Sequence, residues 1–409
     1  MEIRLLGKST WQKVLWLIII SGLIFAALHK WSTVVRVILQ LGLLIYVIWM
    51  KRGSFFKSLI RMPLLPVTAY VVFVGMTIPI SVDPLESAQS WVRLVEMCLI
   101  AVTVYHLLDT DDKIRAGLFY ILVAFGFAFI MDIEFYLRYL GEKWTWGQIW
   151  DTPINFNHHN TYSALCIALV PIAVTILIAC RDLWTRIAVS VFLLMDLFLL
   201  YILQSRTTQV SLAFVLFITG FFLSTLRRKA LYLTIITILV VATVINIRYI
   251  NPRWLDQTVM TGFGRTENWK NALTLIKERP VLGYGYGRKI YRKVYMEKFG
   301  EMVINGHRFL IPHAHSGYLD RMFASGAIGL LLFLVVVVTA FVGLVKRIVS
   351  RNEDWIVARA MLLSLAGTFF YFIGDIHDGV QWGLMWVFLA IALRSSRNNT
   401  EIKPAPAKI

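Results

Sequence analysis

The chain has 409 residues, 58% of them hydrophobic and 16% charged, with a mean hydropathy of +0.68 and a formal net charge of +17. That composition lies far outside the range of soluble globular domains and so excludes a water-soluble enzyme or soluble binding module. The charges fall mostly in short clusters between apolar runs of about 17 to 22 residues, the length that crosses about 30 Å of hydrocarbon, so several membrane spans are expected.

In chain order the runs are 14–29, 34–50, 63–80, 91–108, 117–135, 162–179, 185–203, 207–226, 230–247, 317–345, 357–373 and 380–394. They are too long and too uniformly apolar for barrel strands. In lipid they must therefore satisfy their backbone as helices, which makes the class all-α and the chain a polytopic membrane protein of about twelve spans. The first run lacks a small-residue cleavage pattern and a second follows almost at once, so it reads as a retained anchor. Cys98, Cys166 and Cys180 lie in or at the ends of spans without disulfide or zinc spacing and read as packing residues.

Orientation follows from Lys and Arg in the short loops. Arg4, Lys8 and Lys13, then Lys51, Arg52, Lys57 and Arg61, then Lys113 and Arg115, Arg181 and Arg186, Arg227 to Lys229, and Lys346, Arg347 and Arg351 mark alternate loops as cytoplasmic. The intervening "SVDPLES" and "GDIHDG" are acidic or neutral. Both termini are thus expected in the cytoplasm. The expected layout is nine spans within 1–247, an external segment 248–316, three spans within 317–394 and a cytoplasmic tail 395–409.

Two external segments are long. Residues 136–161 are rich in Trp, as an interfacial belt would be, and end in the Asn/His cluster "FNHHN", which includes Asn160. Residues 248–316 carry twelve Lys/Arg against five Asp/Glu, an excess that serves either anionic headgroups or a multiply charged anionic substrate. Within it, Trp269, Ala272, Leu273 and Ile276 recur at helical spacing, Thr266 reads as the N-cap and Pro280 as the stop, giving a short amphipathic helix that can lie in the interface plane. Arg265 then stands just ahead of the helix N-terminus, where free N–H groups and a guanidinium suit a diphosphate. Gly283, Gly285 and Gly287, alternating with Tyr284 and Tyr286, read as a flexible aromatic loop rather than a dinucleotide fingerprint, with sugar stacking as a second reading. Arg206, in "LQSRTTQ" at the external end of two abutting spans, either snorkels to headgroups or serves the same face as the basic segment.

The tenth run opens with "HAHSGYLDRMFASGAIG", His313 to Gly329. A continuous helix from His315 would set Leu319, Met322, Gly326 and Gly329 on one stripe, placing a base above glycines that admit another helix or a lipid chain. For His313 and His315 three readings stay open at this point. They are a structural histidine pair, a metal pair without a carboxylate and cysteine set to complete it, and a general base. A serine triad would have only Asp320 as a recognisable acid.

His315-Ser316, nine residues, then Gly326-x-x-Gly329 resembles the H-[Asn/Ser/Gln]-x9-G-x-x-G signature of the O-antigen ligases. The twelve spans, the large external segment before the tenth, an arginine opening the eighth and another at the head of a loop helix follow the same plan. The resemblance implies transfer of an O-antigen glycan from undecaprenyl diphosphate to a sugar hydroxyl of lipid A-core at the periplasmic face of the bacterial inner membrane, without metal, nucleotide or other cofactor. It assigns His315 as the base and Arg206 and Arg265 as the diphosphate grip. Arg288, Lys289, His313, Ser316, Gly326, Gly329 and Asn160 are expected around the substrates, which are lipid-borne; no nucleic acid partner is expected. An O-antigen polymerase and a protein O-oligosaccharyltransferase are the rivals within the superfamily. A lipid-linked glycan transporter, which would need polar residues at mid-membrane depth, is the rival from another class.

Overall fold

Long apolar runs can satisfy their amides in lipid only by coiling on themselves, and the computed structural model shows them as helices. It describes residues 33–51, 53–140, 159–180, 182–203, 205–221, 226–245, 263–304, 307–309, 311, 313–350, 355–375 and 379–397. The expected span 14–29 and the tail 398–409 lie outside them, as does most of "FNHHN".

The helices are α1 (Thr33–Lys51), α2 (Gly53–Leu59), α3 (Leu65–Met76), α4 (Pro84–Leu107), α5 (Asp111–Leu140), α6 (His159–Ala179) and α7 (Leu183–Leu203). There follow α8 (Arg206–Phe221), α9 (Leu226–Ile245), α10 (Phe263–Glu278), α11 (Arg288–Phe299), α12 (Gly317–Val349), α13 (Trp355–Gly374) and α14 (Gly379–Arg397). Between α11 and α12 a small antiparallel hairpin pairs β1 (Met302–Ile304) with β2 (His307–Phe309), with Val303 opposite Arg308, an addition to the all-α expectation. Among the described residues four helices are long and apolar enough to cross a membrane: α4, α12, α13 and residues Leu183–Leu200 of α7. Shorter apolar helices cover 41–51, 65–80, 163–179 and 382–394.

Each boundary has a local cause. In "SVDP" the Asp83 carboxylate accepts from Glu86 N at 3.0 Å and Pro84 takes the first helical position, so α4 begins well before the expected residue 91. Hydrophobic burial does not drive helices together inside lipid, so their contacts rest on close packing. Gly367 of α13 is such a contact, because a Cβ there would stand 2.6 Å from Ile167 of α6 and from Val215 of α8. Where α3, α12, α13 and α14 meet, the Phe333 ring lies 5.7 Å from Tyr70, 6.0 Å from Trp382 and 6.3 Å from Phe372. The spans are less clean than their sequence suggested. Asp196, in the middle of α7, is fully buried against α6.

The largest departure is in α12. Gly326 has φ 64° and ψ −170°, so the helix breaks there and the single stripe from His315 through Gly326 to Gly329 does not exist. The freed backbone groups are taken by the segment after α10. Tyr284 N donates to Phe323 O (2.9 Å), Gly285 N to Ala324 O (3.0 Å) and Ala327 N to Pro280 O (2.8 Å). The tyrosine-glycine loop is therefore a packed splice, with Tyr284 stacked on Phe323 at 4.8 Å and Tyr286 buried, and not a flexible aromatic loop. It joins a second small core formed by Ala272, Leu275, Ile276, Tyr291, Tyr295 and Phe323. Gly329, one turn on, lies against Ser325 and Phe73.

At Gly326 a Cβ would meet Val281 O at 2.1 Å, in a region of φ that side-chain-bearing residues rarely enter. Gly326→Ala is expected to destabilise by about 3 kcal/mol or more, read as a fall in the melting temperature of the detergent-purified protein. An unchanged melting temperature would mean that the splice yields without cost.

Candidate functional site

Four segments converge at one end of the bundle: the first turns of α8 and α10, the turn 313–316 before α12, and Asp375 just after α13. The α10 helix starts at Phe263, three residues before the expected cap Thr266, so Arg265 sits inside its first turn rather than ahead of it. Its buried face is Asn268, Ala272, Leu275 and Ile276, while Leu273 points outward. That face fixes the turn that carries the histidines. Asn268 Nδ2 donates to His313 O (2.9 Å) and Trp269 Nε1 to His315 O (3.2 Å).

His315 itself has φ 51°, a left-handed conformation that costs a residue with a Cβ about 1–3 kcal/mol and persists only where the surroundings impose it. Here they do. Besides the Trp269 bond, His315 N donates to His313 Nδ1 (3.1 Å), Ala314 N to Asp320 Oδ1 (2.8 Å), Gly317 N to Asp375 O (3.1 Å) and Ser316 Oγ to Phe372 O (3.3 Å). Asp320 thus ties the turn backbone through the Ala314 amide. The left-handed turn directs the His315 ring at Asp375, whose Oδ1 lies 3.5 Å from His315 Nδ1.

Asp375 is 4% exposed, and its other oxygen lies 3.4 Å from Arg265 Nη2. Burial alone would raise this carboxyl, but the His315 ring and the Arg265 guanidinium beside it outweigh that and hold it well below the usual carboxylate range. Arg265 Nη1 donates to Thr207 Oγ1 at 2.8 Å, which ties Arg265 to the first turn of α8, the turn that Arg206 opens. A proton on Nδ1, on the side of the carboxylate, would leave Nε2 as the ring's basic edge. That is the orienting role of the acid in any base–acid pair. His313 differs in both respects, since it is buried and its Nδ1 already accepts an amide.

One donor atom each from His313, His315 and Asp375 lies within 4.8 Å of the others, so this trio has the makings of a metal site that the histidine spacing alone lacked. The charge of Arg265 on the same carboxylate opposes a cation there.

Behind His313 a cavity of about 220 Å³ is walled by Arg93, Arg288, Asp320, Arg321 and Trp382. The Arg321 guanidinium lies 4.2 Å above the Trp382 ring and donates to Tyr286 OH at 2.6 Å. Of the remaining expected residues, Lys289 pairs with Glu86 at 3.1 Å on the surface and Ser316 precedes α12, buried. Gly326 and Gly329 serve the splice and the α3 contact, and the Asn160 side chain lies outside the described residues. Sequence reasoning missed Asp375 and Thr207. The signal for the first was an acid directly at the end of an apolar run, on the face expected to carry His315.

Comparison with known proteins bears on this arrangement. Residues 188–334 match the family model described as O-antigen ligase. The chain is also 31% identical over 96 residues to the exopolysaccharide production protein ExoQ of Rhizobium meliloti (strain 1021). That alignment covers 22% of this chain and 21% of ExoQ. Asp375 lies beyond the family match, whereas Arg206, Arg265, His313 and His315 lie within it. The segment that supplies the site's arginines and histidines is thus the part of the chain that is similar to the O-antigen ligase family model.

Proposed function

We propose that this protein is a metal-independent, inverting membrane glycosyltransferase. It moves an O-antigen glycan from undecaprenyl diphosphate to a sugar hydroxyl of lipid A-core at the periplasmic face, with both termini in the cytoplasm. The observation that carries this reading is the buried Asp375 carboxylate, which faces His315 on one side and Arg265 on the other. A general base and an anion-binding guanidinium are thereby held at one point just outside apolar helices, where a lipid-linked sugar diphosphate would present its anomeric carbon.

In the proposed reaction the acceptor hydroxyl oxygen attacks the anomeric carbon as His315 Nε2 takes its proton. The bond between that carbon and the phosphate oxygen breaks with both electrons going to oxygen. The departing diphosphate is met by Arg265 and Arg206, whose planar forks match phosphate geometry. Thr207 and Asp375 pre-orient the Arg265 fork, and the cationic cavity behind His313, with Arg288 in its wall, receives the acceptor.

The test is transfer in vitro with lipid-linked glycan, offering lipid A-core, a second lipid-linked glycan or a pilin-like protein in separate reactions, with and without chelator. Lipid A-core is the expected acceptor, and activity should survive the chelator. A second reading follows from the similarity to ExoQ, an exopolysaccharide production protein, and makes the acceptor another lipid-linked glycan; growth of the glycan chain in that arm would replace the ligase reading with a polymerase. Arg265→Lys is expected to lower the transfer rate about 10²-fold or more, because a point charge cannot span Thr207, Asp375 and a phosphate. Unimpaired turnover would return Arg265 to a headgroup role.

A further inference from the structure

The far end of the bundle holds a second polar cavity that plays no part in the proposed chemistry. Helix α4 has its first turn beside the tyrosine loop, where Val82 N donates to Tyr284 O, and runs 24 residues, about 36 Å, to its other end. There Tyr105, His106 and Asp109 meet the end of α1, helix α2 and Arg394 of α14 around a space of about 500 Å³.

Its walls carry four cations, Lys51, Lys57, Arg61 and Arg394, against one acid, Asp109. That acid is already matched, with Lys51 at 3.0 Å on one oxygen and Lys113 at 2.6 Å on the other. The next acids along the chain are also engaged, Asp111 by Arg347 and Asp112 by Arg115. Among the described residues no carboxylate forms an ion pair with Lys57, Arg61 or Arg394. Arg394 spends Nη2 on Asp109 O at 2.8 Å, yet its Nε, shielded from solvent, has no acceptor among the described residues. A shielded guanidinium N–H without an acceptor is costly unless something outside the chain completes it. Ser54 and Ser58 add hydroxyls, and Ser58 Oγ lies 2.9 Å from His106 Nε2.

We propose that this cavity is a binding site for a phosphate group, carried either by an anionic phospholipid headgroup or by a soluble phosphate, held by Arg394, Arg61 and Lys57. Three uncompensated cations around a polar space suit an oxyanion with several acceptor oxygens. The site is separate from the transfer site by the length of α4, so its occupancy need not alter the chemistry.

The full-length protein, purified in detergent, would be examined by native mass spectrometry and thermal unfolding with added phosphatidylglycerol, phosphatidylethanolamine or inorganic phosphate. For the wild type, phosphatidylglycerol or inorganic phosphate should bind and raise the melting temperature, and phosphatidylethanolamine should bind less well than phosphatidylglycerol. The double substitution Lys57→Gln with Arg61→Gln should weaken that binding about tenfold without changing the ligand-free melting temperature, since both side chains are exposed. Lys57→Arg with Arg61→Lys should restore it. A loss confined to phosphatidylglycerol identifies the headgroup, and one confined to inorganic phosphate the soluble ion. Equal binding by wild type and the Gln variant, or no binding of either phosphate probe, would overturn the proposal.

Discussion

His315→Ala is expected to lower glycan transfer by about 10²–10⁴-fold, the usual contribution of a positioned general base, while the protein still inserts and purifies normally. The expectation rests on where the ring is, not on its being a histidine in a motif. Its backbone is held left-handed by bonds from Trp269 and to His313, and its Nδ1 is turned to Asp375. His313→Ala is the matching control. It would remove a buried ring that receives the His315 amide, so it should cost stability and loosen the turn, but it should slow transfer less than His315→Ala does. Wild-type ladders of glycan-modified acceptor from His315→Ala would refute the base assignment.

The second large effect is expected from Asp375→Asn, about 10²-fold or more in rate. The carboxylate both orients the His315 tautomer and shares charge with Arg265, and an amide of the same shape keeps the space but loses both. The sign of its pH dependence follows from its neighbours. Because the folded carboxyl lies below its usual range, the stability it contributes is present above the unfolded value and is lost only as pH falls through the lower folded one. Mild acid therefore cannot mimic Asp375→Asn. In the wild type the Asp375 charge should persist through mild acid, whereas the Asn variant should be slow across the whole pH range. If Asp375→Asn retained full activity, the bridge would be structural, and the anion grip would have to rest on Arg206 and Arg265 without it.

Much of this architecture could be read from composition because apolar length is a strong signal. Each expected span from 34–50 onward overlaps a described helix, and four helices are long and apolar enough to cross a membrane. What was illegible has particular causes. The early start of α4 hides in an Asp-Pro pair that reads as a loop until its capping bond is seen. The α10 boundary moved because Thr266 and Glu267 make a plausible cap, yet the helix can begin at Phe263 without one. The stripe argument for the two glycines failed because it assumed a continuous helix, and only a partner segment 40 residues upstream in sequence makes a break at Gly326 affordable. Asp375 was invisible because its partners lie 60 and 110 residues away, across two helices, and no periodicity records such pairings.

That last separation bears on biogenesis. The carboxylate that joins Arg265 and His315 follows α12 and α13, so a nascent chain carries both groups before the acid that bridges them. The bridged arrangement is therefore completed only once α13 has been made, with α14 alone still to follow.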